Sequence, residues 1–197
     1  MSTQFEIPAL YVTGPALAAF AAYAVTRRRR DAPGWSGGRL AARVTAAVYA
    51  ATVVTLTLFP LWIYTGAYRN RMPWTNQINW IPLLTADVTM AANVVMFVPF
   101  GFLLPLFTRC DRARRVALLS ALTSLAIECV QLAQYLVFSS GRSVDVNDLV
   151  ANTLGGLLGF AVLRLALRGE RTRGLLRSWA RPATVPDRST AGSAPVG

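Results

Sequence analysis

The chain has 197 residues and 20 basic groups, every one of them arginine, against 9 acids, for a formal net charge of +11. Hydrophobic residues make up 54% and charged ones only 15%, short of the roughly 25% that keeps the surface of a soluble domain wet. With no histidine, His-based triads and the usual zinc sites are excluded, and two cysteines (Cys110, Cys129) exclude a disulfide framework or a Cys-rich metal centre.

A membrane span needs about 20 mostly apolar residues to cross roughly 30 Å of hydrocarbon. Five stretches meet that need. The first, Pro8 to Thr26, has no charged residue and stops at Arg27–Arg30; Glu6 and the absence of a leading basic residue argue against a cleaved signal peptide. The second is Val44 to Tyr68, with aromatic residues toward its far end. The third, Val88 to Phe107, holds Asn93, Pro99 and Pro105, and a kink is expected at Pro99, which lacks a donor. The fourth, Val116 to Phe138, is interrupted by Glu128, Gln131 and Gln134. The fifth, Val146 to Leu167, opens on Asn147 and Asp148 and runs through Asn152, Gly155, Gly156 and Gly159. The fold expected is therefore all-α: a polytopic transmembrane helix bundle of five spans.

Arginines orient it, because cytoplasmic loops collect basic residues. With the N-terminus outside, Arg27–Arg30, Arg39, Arg43, Arg109, Arg112, Arg114, Arg115 and the seven from Arg164 onward all fall inside. Arg69, Arg71 and Arg142 remain outside. The C-terminus is then cytoplasmic, the location a multi-pass cell membrane, and the basic excess a matter of topology. No nucleic-acid partner is expected. Residues 1–43 comprise the first helix and a basic cytoplasmic loop with a flexible Asp31–Gly38 linker, and residues 44–168 a four-helix membrane domain. Residues 169–197 read as a basic, disordered cytoplasmic tail, most clearly over roughly 182–197, where large apolar residues are scarce.

Charged groups at bilayer depth cost about 2.5–3.5 kcal/mol on insertion scales, which makes them functional candidates. At about 1.5 Å per residue, Glu128 lies about 18 Å up the fourth span, Asn93 about 7 Å below the outer surface, and Asn152 about 9 Å below it. Three helices thus converge their polar groups on the outer half of the membrane. Glu128, Gln131 and Gln134 share one side of the fourth helix, and Asp148, Asn152 and the glycines one side of the fifth. Gly155 and Gly159 form a GxxxG, read as helix packing. The loop Ser139–Asp145 overlies the cluster and brings Arg142 near Asp145, Asp148 and Glu128. Candidate ligand-binding residues are Asn93, Glu128, Gln131, Arg142, Asp145, Asp148 and Asn152. Glu128 suits three roles, a proton carrier, a general acid or base, or a buried donor, and is the best candidate should there be catalysis. The segment Ile78–Leu84, with Trp80 inside it and Trp74 just before it, reads as an interfacial strip or re-entrant lip over the polar cluster, or else as a membrane-resting loop.

Five pieces in order carry a family resemblance: Asn79-Trp80-Ile81-Pro82, Asn93 to Gly101, Glu128-Cys129-Val130-Gln131, Gly141 to Asp148, and Asn152 to Gly156. Together they cover about residues 50–167, and over them the chain resembles the VanZ-like family. The resemblance implies a small integral membrane protein of the bacterial envelope, whose family's founding member is linked to reduced sensitivity to teicoplanin, an acyl-tailed antibiotic acting outside the membrane.

Three functions follow as readings. In the first, an accessory protein acts on outer-leaflet envelope lipids or on lipoglycopeptide susceptibility, with membrane lipids, a lipid-linked envelope precursor or the lipoglycopeptide as partner. Arg142 would then meet an anionic headgroup, with Asn93, Gln131 and Asn152 as neutral contacts. No cofactor is required. In the second, a membrane enzyme acts on a lipid-linked phosphate or sugar, and only there would Asp145 and Asp148 hold Mg²⁺. The third is a small lipid or proton-coupled transporter using Glu128, for which a homo-oligomer suits better than a single chain lacking inverted repeats.

Overall fold

The computed structural model describes residues 2–81, 88–140 and 143–180. In order, these form β1 (Gln4–Ile7), α1 (Leu10–Arg29), α2 (Gly37–Leu58), β2 (Leu61–Tyr64), β3 (Ile78–Asn79), α3 (Val88–Phe107), α4 (Ala113–Phe138), β4 (Val144–Asp145), α5 (Val146–Ala166) and α6 (Glu170–Trp179). Short 3₁₀ turns at Gly66–Tyr68 and Trp74–Gln77 join β2 to β3.

Among the described residues four helices are long and apolar enough to cross a membrane: α2, Thr89–Phe107 within α3, α4 and α5. α1 is of comparable length, but Thr13, Gly14, Pro15 and its terminal arginines dilute its apolar run, so it stands outside those four. The third, fourth and fifth spans fall within three residues of their expected ends. The second does not. α2 starts at Gly37, inside the expected linker, and stops at Leu58, ten residues before Tyr68. Pro60 explains the stop: it cannot donate to the helix ladder and disfavours helical geometry in Phe59. The chain beyond turns into β2, which pairs antiparallel with β1, Gln4 opposite Tyr64 and Ile7 opposite Leu61. β3 pairs parallel with β4. A helical bundle thus carries two small strand pairs at the end where α2 and α4 finish and α3 and α5 begin.

The closest helix pair is α3 with α5, and glycine is the reason. A Cβ on Gly155 would strike the carbonyl oxygen of Val94, one on Gly159 that of Val98, and one on Gly101 that of Gly156. Gly156 meets the Ser120 side chain of α4 in the same way. The packing role read for Gly155 and Gly159 is therefore realised, and Gly101 contributes from the opposite side. Helix α3 runs on through Pro99 and Pro105, and the Tyr49 hydroxyl of α2 donates to the carbonyl of Met96 at 3.0 Å, beside the turn that Pro99 opens.

At the arginine-rich end the structure corrects the tail expected over 169–197. Its first part is helix α6, with Glu170 in the first turn and Leu176 and Ala180 buried against Leu103, Leu106 and Leu163. Arg173 donates to the carbonyl of Leu167 at 2.8 Å, closing the end of α5. The two apolar contacts and this cap supply what composition alone withheld. The remaining tail, 181–197, lies outside the described residues.

Candidate functional site

Helix α4 presents one buried stripe, Val116, Ser120, Ser124, Glu128, Gln131 and Tyr135, at spacings of three and four. Polar groups fill most of it, and α5 lays Asn152 and Gly156 against it, at Ser124 and Ser120. Because Gly101, Gly155 and Gly159 let α3 and α5 approach, Asn93 also reaches the same place. The Asn93 amide donates to the Asp148 carboxylate. The Asn152 amide donates to the Ser124 hydroxyl at 2.8 Å, and Ser124 in turn donates to the Asp148 carbonyl at 3.4 Å. Glu128, 5% exposed, accepts the Asp145 backbone N–H at 3.2 Å.

Asp145 is a junction rather than a free ligand. Its carboxylate caps α5 by accepting the Asn147 N–H at 2.7 Å, and its other oxygen accepts from the Asn79 amide at 3.1 Å. Both carboxylate oxygens are thereby engaged in holding β3, β4 and the start of α5 together. Among the described residues no group of three or more His, Cys, Asp or Glu side chains is arranged to hold a metal ion.

Gln131 and Gln134 do something the sequence reading did not foresee. The Gln131 amide donates to the Thr57 carbonyl at 2.8 Å and the Gln134 amide to the Leu58 carbonyl at 3.2 Å. Those carbonyls belong to the last turn of α2, where helix termination leaves acceptors unpaired. The two glutamines thus cap α2 from the neighbouring helix. A backbone carbonyl only accepts, so the Gln131 contact must be its NH₂, and its amide oxygen is fixed on the other side. That oxygen, and the amide oxygen of Asn152, accept no hydrogen bond among the described residues.

These groups surround a chamber of about 240 Å³ lined by Asn93, Glu128, Gln131, Asp148 and Asn152 with Leu56, Thr57, Ala92, Met96 and Ile127. Five of the seven candidate ligand-binding residues therefore meet at one cavity. Asp145 stands behind it, bonded to Glu128 through its backbone. Arg142 lies outside the described residues, as do Pro82, Leu83 and Leu84 of the interfacial strip. The sequence reading missed Ser120 and Ser124, although each sits four residues before the next on the face that carries Glu128, it missed Thr57, and it gave Asn79 only as part of the family resemblance.

The VanZ/LLP1 family profile matches residues 46–167. Over 137 residues the chain is 29% identical to Protein VanZ of Enterococcus faecium, an alignment spanning 66% of this chain and 77% of that protein. No solved structure matches. The profile runs from α2 to the end of α5 and takes in every residue of the chamber, and with more than half the chain inside it, this membrane protein belongs to the VanZ/LLP1 family.

Proposed function

We propose that the protein is a multi-pass cell-membrane accessory factor that acts at the outer leaflet on envelope lipids, or on susceptibility to an acyl-tailed lipoglycopeptide of the teicoplanin type. The observation that supports this reading is the chamber: carboxyl and carboxamide groups from three helices around one cavity, groups that are costly among membrane-spanning helices unless they serve a function. In this reading α1 is a fifth span. It lies against α2, and its 20 residues rise about 30 Å, the thickness of the hydrocarbon layer. The N-terminus is then outside, the arginine-rich ends of the helices face the cytoplasm, and the chamber opens toward the outer leaflet. Residues 44–168 form the acting unit, and Arg142, in the loop above, joins the chamber residues in contacting the ligand.

The test is teicoplanin susceptibility in a sensitive Gram-positive host carrying the intact protein, Glu128→Gln or Arg142→Ala at equal membrane levels. Vancomycin, lacking the lipid tail, is the control. The intact protein raises the inhibitory concentration of teicoplanin selectively, and both substitutions abolish the rise. A host whose teicoplanin sensitivity is unmoved by the intact protein overturns the reading.

A further inference from the structure

Helices α1 and α2 enclose a groove of about 390 Å³ whose lining runs from Leu17 to Arg28 on α1 and from Leu40 to Val48 on α2. Ala21, Ala24 and Ala47 in that lining are too small to fill the space between the helices, and the half-exposed Val25 and Val48 leave it open sideways. Every lining residue is apolar except Arg28, one turn beyond Ala24 on the same face of α1. From Leu17 to Arg28 the helix rises about 16 Å, roughly half the thickness of a hydrocarbon layer of about 30 Å. The groove therefore has the length of one leaflet and ends at a cation.

That cationic end is braced. The chain after α1 folds back and buries Trp35, whose ring lies 6.5 Å from Phe20 of the lining and meets Tyr23 edge-on at 5.0 Å. The Arg43 guanidinium lies 4.4 Å over the same ring. Residues 27–43 hold six arginines against one acid, Asp31, so Arg28 stands in a strongly positive neighbourhood. A guanidinium meets phosphate oxygens as a fork, and basic pockets between helices at the cytoplasmic face suit anionic headgroups. Most of the lining precedes residue 46, where the VanZ/LLP1 profile begins, so the groove is separate from the chamber and lies largely outside the family match.

We propose that the α1–α2 groove holds one acyl chain of an anionic phospholipid of the cytoplasmic leaflet, with the lipid phosphate on Arg28. The proposal rests on the reading of α1 as a membrane span with its arginine end inside, and not on the role read for the chamber.

The test uses the full-length protein in phosphatidylcholine nanodiscs carrying traces of phosphatidylglycerol or phosphatidylcholine with a diazirine on the acyl chain. Labelled peptides are mapped by mass spectrometry. The phosphatidylglycerol probe is expected to label residues 17–25 and 44–48 about tenfold more than the phosphatidylcholine probe, the factor that one charge-assisted hydrogen bond supplies. Arg28→Gln brings that labelling down to the phosphatidylcholine level, whereas Arg29→Gln, in the same arginine run but absent from the lining, leaves it unchanged. Ala21→Phe fills the groove and removes labelling there by either probe; Val48→Trp, on the open rim, does the same and keeps the test decisive should Ala21→Phe not fold. Equal labelling by the two probes overturns the proposal, as does labelling unmoved by Arg28→Gln or by both groove-filling substitutions. An equal loss in Arg28→Gln and Arg29→Gln also overturns it, because diffuse attraction to the arginine run then accounts for the preference. No labelling of α1 by either probe sinks the site and the fifth span together. The chamber takes no part in this test, so equal labelling leaves the function above standing, and an unmoved teicoplanin sensitivity leaves the lipid site standing.

Discussion

Helices α3 and α5 meet backbone to backbone, whereas α1 and α2 meet through side chains and leave a groove of about 390 Å³ lined by Leu17, Phe20, Val44 and Val48. The first pair is joined along its length by glycine contacts and by Asn93 reaching Asp148. The second is secured chiefly at its ends. At one end the Arg43 guanidinium lies 4.4 Å over the Trp35 ring, which Tyr23 meets edge-on at 5.0 Å; at the other, β1 pairs with β2. Lipid tails are as apolar as leucine, so burying apolar faces gives helices in a membrane no net reason to associate. Close shape fit and polar groups hold a seam together there, and an apolar pair lacking both must be tied at its termini.

Substitutions that exchange these properties break the contrast. The largest effect is expected from Gly159→Leu, which drives a side chain into the α3 backbone at Val98 and costs about 3 kcal/mol or more, read as a lowered midpoint of thermal unfolding in detergent. Asn93→Leu keeps the seam's shape but removes the amide that reaches Asp148 from α3; an intermediate loss of about 1–2 kcal/mol in the same measurement is expected. Ala21→Leu adds a larger side chain to the α1–α2 groove, where room exists, and should change stability by no more than about 0.5 kcal/mol. A drop for Ala21→Leu as large as that for Gly159→Leu would erase the distinction between the two pairs.

The ends of α3, α4 and α5 were legible because each coincides with an abrupt change from apolar to charged or polar residues. The end of α2 was hidden because Phe59-Pro60 sits inside a run that stays apolar to Tyr68, and only the backbone chemistry of proline marks it. Helix α6 was hidden for the opposite reason: its few apolar residues look too sparse until Leu176 and Ala180 find the core already built by α3 and α5. Within the site, costly side chains drew attention and cheap ones did not. Glu128, Asp148, Asn93 and Asn152 were found by cost, while Ser120 and Ser124, which sit easily in a membrane helix, were passed over. Gln131 was found for a reason only half its own, since its amide nitrogen serves the last turn of α2.

The pairing of β1 with β2 fixes more than the position of a short strand. β2 follows the last turn of α2, whose carbonyls Gln131 and Gln134 cap, so the N-terminal residues sit at the chamber's end of the molecule. The sidedness of the chamber and that of the N-terminus are consequently a single property. A cysteine introduced at Ser2, with Cys110 and Cys129 replaced by serine, and probed with a membrane-impermeant thiol reagent in whole cells reports both at once: modification places the chamber toward the outside, and protection places it toward the cytoplasm.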